Sequence, residues 1–184
     1  AFESHTLLTD ITISDTVSEI GERAFEDSGL TTVKLPSALT LLNRQVFKNC
    51  LSLESIELSE NIRTIYYTAF ENVPVEAIPD IPEGTEVIVE SFDFISKGEA
   101  DAVVPDCVTS MDYNSYFFYD TLTIGKNVRE FIPLKFELGC ITDTKQKEIY
   151  VNEENPYFCA EDGVLYNKDK TEIVHIAYGH NFTD

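Results

Sequence analysis

A short motif recurs along this chain at steps of 22 or 23 residues. Its most regular position holds a phenylalanine, with a small or aliphatic residue directly before it and another aliphatic residue five positions before it. The four clear copies are Ile20/Ala24/Phe25, Leu42/Val46/Phe47, Ile65/Ala69/Phe70 and Val87/Ser91/Phe92, and looser copies follow at Met111/Tyr116 and Phe131/Phe136. One copy is too small to bury its apolar side alone, so copies must stack on one another.

A second element precedes each motif and alternates apolar with polar residues. Alternation with β-branched residues predicts a short strand that buries one face. The clear copies span 8–13, 30–35 and 53–58, and looser ones span 75–81, 102–104, 122–124, 149–151 and 173–175. A proline follows three of the predicted strands, at Pro36, Pro82 and Pro105. Because the strand has ended there, its missing backbone N–H is not needed for strand pairing. We therefore expect about eight rungs of one parallel sheet, with the phenylalanine motif as core behind it.

The motifs resemble the BspA-like leucine-rich repeats. The resemblance rests on Ile20-Gly21, Ala24-Phe25, Leu35-Pro36, Ala69-Phe70 and the run Phe47-Lys48-Asn49-Cys50. It covers residues 1–136, and 150–170 looks like the longer repeat variant of that family. The resemblance implies a right-handed solenoid with short parallel strands on one face and irregular or short-helical returns. It also implies a cell-surface or secreted adhesion module, with host or matrix proteins as partners.

The regular period ends before the end of the chain. We predict a single solenoid over 1–184, regular over 1–136 and with longer, irregular repeats over 137–184. Residues 163–166 and 172–176 read as a β-hairpin-like insertion, because Asn167 to Thr171 between them is rich in turn-forming residues. Ala1-Phe2 already matches Ala24-Phe25, so we expect a piece of a longer protein, with any leader or anchor outside it.

The chain is acidic, with 33 Asp and Glu against 13 Lys and Arg, a formal net charge of −20. This charge argues against nucleic acid and against an anionic membrane surface as partners. No apolar run approaches the roughly 18 residues that a membrane span needs. Because the repeat reserves the core for apolar residues, the carboxylates must lie on strand exteriors, turns and returns.

Outward positions of successive strands should stack in rows. One row would hold Thr9, Thr31, Glu54 and Glu76, and the next Thr12, Lys34 and Glu57, with Asp80 nearby. Lys34 beside Glu57 is a favourable cross-strand pair, whereas Glu54 beside Glu76 is a mildly costly one. We hypothesise that this acidic surface meets a basic protein or a divalent cation; the alternative is a solvated acidic coat.

Chemistry-bearing motifs are not evident. His5, His175 and His180 have no metal-ligand spacing, and no nucleophile elbow or phosphate-binding glycine loop occurs. Cys50, Cys107, Cys140 and Cys159 form no Cys-x-x-Cys pair, so free thiols are expected, with a Cys140–Cys159 disulfide left open. We predict no catalytic residue, no metal site and no cofactor.

The sequence thus favours a non-catalytic protein-binding module. Two alternatives remain open: a structural spacer within a larger protein, and a carbohydrate-binding module. The spacer predicts no exposed aromatic patch on the sheet face. Carbohydrate binding needs an aromatic platform, for which Tyr113, Tyr116, Phe118 and Tyr119 form the densest cluster, with Tyr113 and Tyr119 as the candidates.

Overall fold

The chain forms two compact units in a computed structural model, Ala1–Ile88 and Val89–Asp184. The structure describes residues 1–89, 101–112, 119–132 and 147–177. Within these ranges, the strands that pair in parallel form a β-solenoid of about four turns. Eight rungs, a right hand and a single continuous solenoid stay predictions.

Two sets of parallel strands line the stacked turns of unit 1. The strands are β1 (Thr32–Lys34), β2 (Leu41–Leu42), β3 (Ser55–Glu57), β4 (Thr64–Tyr66) and β5 (Glu86–Val89). β1 pairs with β3, while β2, β4 and β5 pair in that order. Val33 lies opposite Ile56, and Ile65 opposite Val87, and all four are buried. The turns therefore stack with equivalent apolar residues in register.

The returns differ from the prediction. We expected irregular or short-helical segments, and 3₁₀ helices do occur at Tyr67–Phe70 and Val75–Ala77. The returns also contain the second set of strands, β2, β4 and β5, which the sequence did not predict. These strands are only two to four residues long. Their apolar residues Leu42, Ile65 and Val87 belong to the phenylalanine motif, which the sequence assigned to the core behind the sheet.

Two of the predicted strands are not formed. Residues 8–13 contain no strand, although Leu8, Ile11 and Ile13 pack against the core and the Thr31 N–H donates to the Thr9 carbonyl over 3.0 Å. Residues 75–81 begin with the second 3₁₀ helix instead of a strand. Pro74, Pro79 and Pro82 explain this second difference, because proline supplies no N–H to a sheet ladder.

The phenylalanine motif fills the interior as predicted. Phe25, Phe47 and Phe70 are 3%, 0% and 2% exposed, and Phe92 lies outside the described residues. Rings of successive turns stack nearly parallel, with centroid distances of 5.7 Å for Phe2–Phe25 and 5.8 Å for Phe25–Phe47. The repeat spacing therefore becomes an aromatic column inside unit 1.

A ladder of polar side chains follows each phenylalanine at one corner. Asp27, Asn49 and Asn72 all have left-handed backbones, with φ of 56°, 59° and 57°. Asn and Asp tolerate this conformation better than other non-glycine residues. The Asn72 amide donates to the Asn49 side-chain oxygen over 2.8 Å, and the Asn49 amide donates to the Asp27 carboxylate over 2.9 Å. The ladder thus joins three successive turns.

Unit 2 combines parallel and antiparallel pairings. Its strands are β6 (Asp101–Val103), β7 (Ser110–Asp112), β8 (Thr121–Ile124), β9 (Glu130–Ile132), β10 (Glu148–Val151), β11 (Phe158–Glu161), β12 (Val164–Asn167) and β13 (Ile173–Ile176). β6, β8 and β10 form a parallel sheet with β8 in the middle, and β7 pairs in parallel with β9. β11, β12 and β13 pair antiparallel in that order. The residues expected to form an insertion thus lie in this antiparallel sheet.

Asn155 holds the antiparallel sheet to the turn before β9. Its side chain is fully buried, and its amide donates to the carbonyls of Gly125 and Val128 over 2.8 and 3.0 Å. Its side-chain oxygen accepts from the N–H groups of Tyr157 and Phe158 over 2.8 and 2.9 Å. The Asn155 side chain therefore makes four hydrogen bonds in a place where unpaired polar groups are costly.

Candidate functional site

The candidate surface lies on the outward side of β1 and β3. We call Lys34, Glu54, Glu57, Glu76 and Asp80 the acidic face; all five are exposed in unit 1. Lys34 and Glu57 end β1 and β3 and lie directly opposite each other, in the register that the repeat predicts. Val33 and Ile56, one residue earlier, point into the core. The strand alternation therefore turns these two charges outward.

Lys34 and Glu57 form an ion pair whose side chains are 69% and 64% exposed. The hydrogen bond with Glu57, and then its charge, raise the pKa of Lys34, and Asp15 adds to the effect. Because solvent screens such a pair, it stabilises the fold little. The pair does orient Glu57.

Glu54 and Glu76 are not the cross-strand pair that the sequence predicted. Glu54 lies just before β3, where its N–H donates to the Thr31 carbonyl over 2.8 Å. Glu76 lies on the Val75–Ala77 3₁₀ helix, which contacts β3. Asp80 follows in the Pro79–Pro82 loop. The acidic face therefore spans a strand pair, a 3₁₀ turn and a loop instead of one flat sheet.

One of the two tyrosines predicted to form the aromatic platform is buried. Tyr119 is only 5% exposed, because it packs into unit 2 just before β8. Tyr113 lies outside the described residues, as do Tyr116 and Phe118. The buried ring of Tyr119 has no open face on which a sugar can stack.

The sequence reasoning missed an exposed tyrosine on the β6–β8–β10 sheet. Tyr150 is 54% exposed, and Val103 on the same sheet is 61% exposed. The available signal was the alternation in Asp101-Ala102-Val103 and Glu148-Ile149-Tyr150, which buries Ala102 and Ile149 and turns their neighbours outward.

Burial shifts the pKa of a histidine and of a cysteine elsewhere in the chain. Burial lowers the pKa of His175 to about 4, so its ring is neutral at pH 7. Burial raises the pKa of the Cys50 thiol, which lies 3.3 Å from the Ser28 hydroxyl and 3.1 Å from the Phe25 carbonyl. Cys50, Cys107 and Cys159 are free thiols, and Cys140 lies outside the described residues.

Among the residues of the described ranges, no group of three or more His, Cys, Asp or Glu side chains is placed to hold a metal ion. Within the same ranges, no helix has the length and apolar character needed to cross a bilayer. A cavity of about 360 Å³ at the first turn is lined mainly by apolar residues, among them Phe2, Ile11, Ile13 and Val17.

The stacked turns, the phenylalanine column and the outward charges together define a repeat protein with an apolar core and a polar strand face. The chain belongs to the BspA type leucine rich repeat region family, whose model matches residues 1–97 in six copies. The matched part is slightly more than half of the 184 residues.

Several solved structures are similar to this chain. A leucine-rich repeat protein from Eubacterium ventriosum is 20% identical, over 84% of this chain and 40% of that one, with a TM-score of 0.44. The pneumococcal vaccine antigen PcpA is 23% identical over 87% and 28%, with a TM-score of 0.30. A leucine rich cell surface protein from Faecalibacterium prausnitzii is 22% identical over 83% and 47%, with a TM-score of 0.40.

The chain spans less than half the length of each of these three proteins. A comparison with curated proteins finds no match.

Proposed function

We propose that this chain is a non-catalytic protein-binding module of a cell-surface or secreted protein. The observation that carries the proposal is the acidic face, where Glu54, Glu57 and Glu76 lie exposed on turns whose interior is closed by buried apolar residues. Such a scaffold fixes the backbone positions of the charges, which lowers the cost of ordering them on binding. Membership in the BspA-type family supports a role in interaction.

The partner would be a basic protein surface. Four carboxylates and one lysine make up the acidic face, and the lysine is already paired with Glu57. The net charge of −20 adds a long-range field that speeds the approach of a cationic partner. Adhesion to host or matrix proteins is the form of binding that the family resemblance implies.

The alternatives have weaker support. A pure spacer predicts a sheet face without a patch of exposed aromatic side chains; Tyr150, 54% exposed on the β6–β8–β10 sheet, is one exposed aromatic and weighs only slightly against it. Carbohydrate binding loses Tyr119 from its proposed platform because that ring is buried.

Charge reversal tests the proposal. A displayed random peptide library is selected against the wild-type chain and against the Glu54→Lys/Glu76→Lys variant. A control variant, Glu19→Lys/Glu22→Lys, changes the net charge equally at two exposed residues outside the acidic face.

We expect Lys- and Arg-rich peptides to be enriched on the wild type and on the control, and to be lost on the Glu54/Glu76 variant. If the same peptides are enriched on all three chains, or none on the wild type, the acidic face is not the binding surface.

A further inference from the structure

An exposed apolar row crosses the outer face of the β6–β8–β10 sheet. Val103 lies opposite Thr123, and Thr123 lies opposite Tyr150, so the three side chains form one row on adjacent strands. The preceding residues of these strands, Ala102, Leu122 and Ile149, are 1%, 1% and 4% exposed and form the buried side. Val103 and Tyr150 therefore point outward because of the alternation that buries their neighbours.

The two apolar side chains stand at a spacing that a protein segment can match. Strands of a sheet lie about 4.8 Å apart, so Val103 and Tyr150 are roughly 10 Å apart across β8. They are 61% and 54% exposed, with Thr123 between them. Exposed apolar side chains that share one face, unlike apolar residues scattered singly over a surface, are a feature of interaction sites.

An acidic row runs beside the apolar one. Asp101, Thr121 and Glu148 lie opposite one another, two residues earlier on the same three strands. The Thr121 hydroxyl donates to the Asp101 carboxylate and holds it in place. Two residues along a strand is about 7 Å, so each end of the apolar row has a carboxylate at that distance.

We propose that this two-row face docks a protein segment that presents aliphatic or aromatic side chains next to Lys or Arg. Its apolar side chains cover Val103 and Tyr150, and its cations meet Asp101 and Glu148. A cation also binds well over the face of an exposed tyrosine ring. The inference rests on the proposed protein-binding function but uses residues that the acidic face does not contain.

The charges of the face decide between classes of partner. A phosphate-bearing partner would be repelled by Asp101 and Glu148. A neutral sugar can stack on Tyr150 and donate hydroxyl hydrogens to the carboxylates, but it neither covers Val103 nor neutralises the charge of Asp101 and Glu148. A cationic, partly apolar segment satisfies both rows together.

Binding of synthetic peptides tests the proposal directly. The probes are peptides of about a dozen residues that alternate Leu with Lys, Ser with Lys, or Leu with Glu, together with cellohexaose as a neutral sugar. Affinities are measured by fluorescence anisotropy, or by calorimetry for the sugar, on the whole chain.

The main variant is Val103→Thr/Tyr150→Thr, which places a β-branched threonine at both exposed strand positions and should therefore fold. The matched control is Tyr157→Thr, because Tyr157 is 47% exposed and lies outside the two rows.

We expect the Leu–Lys peptide to bind the wild type about tenfold more tightly than the Ser–Lys peptide, and the Leu–Glu peptide not to bind. The double variant should lose about tenfold in affinity for Leu–Lys, to the Ser–Lys level, while Tyr157→Thr binds as the wild type does.

Three results would overturn the proposal: equal binding of Leu–Lys and Ser–Lys, a double variant that binds like the wild type, or cellohexaose binding that depends on Tyr150. The Glu54→Lys/Glu76→Lys variant distinguishes failure of this proposal from failure of the proposed function, because it changes the acidic face and leaves the two-row face intact.

Discussion

Removing one ring from the phenylalanine column should cost unit 1 much of its stability. Phe47 is fully buried and stacks on Phe25 at 5.8 Å. Phe47→Ala leaves the backbone bond from the Phe47 N–H to the Ala69 carbonyl possible, so the loss is one of packing. A buried Phe→Ala change costs about 3–5 kcal/mol. Domains are stable by about 5–15 kcal/mol, so this change is a large fraction of the total.

Phe2→Ala is the matched control. Phe2 stacks on Phe25 at 5.7 Å, almost the same distance, but it is 37% exposed. Its removal opens no enclosed cavity, so the cost should be about 1–2 kcal/mol. Urea unfolding followed by far-ultraviolet circular dichroism gives both values from the midpoint and the slope.

The column account fails if Phe47→Ala loses no more stability than Phe2→Ala. Equal losses would mean that the interior of the turns relaxes around the missing ring. A larger loss at Phe47 would support the view that repeat stability is a sum of contacts between neighbouring turns.

Two further predictions concern unit 2. Asn155→Ala leaves two backbone N–H and two carbonyl groups without their partner and should cost on the order of 3 kcal/mol in urea unfolding; an unchanged midpoint would contradict the anchoring role. His175 has its pKa lowered from 6.5 to about 4, so the unfolded chain takes up a proton first and stability should fall as pH drops from about 6.5 to 4, by up to about 3 kcal/mol. His175→Gln should remove that part of the pH dependence, and parallel pH profiles for the two chains would refute the assignment.

The core of unit 1 could be predicted from the sequence because every repeat places the same kinds of side chain in the interior. Each phenylalanine and its preceding aliphatic residue fall on the same place in every turn, and Phe25, Phe47 and Phe70 are buried as predicted. Periodicity of this kind depends only on side-chain size and polarity, which the sequence contains directly.

The strands themselves were harder to predict because their formation depends on backbone hydrogen bonds. The apolar pattern of residues 75–81 continues the strand signal, but Pro74, Pro79 and Pro82 cannot donate to a ladder, and a 3₁₀ helix forms instead. That change moves Glu76 out of the row with Glu54. The strands of the second set were missed because their apolar residues were assigned to the phenylalanine motif. The anchoring by Asn155 was missed because it depends on contacts about 30 residues away in the chain.

Carboxyl footprinting tests the central claim most directly. A peptide selected on the wild-type chain is added, surface carboxylates are labelled with a carbodiimide, and labelling at each residue is read by mass spectrometry. If the acidic face binds the partner, the peptide should reduce labelling of Glu54, Glu57, Glu76 and Asp80 and leave Glu19 and Glu22 unchanged. Unaltered labelling of the acidic face, or equal protection of Glu19 and Glu22, would contradict the account.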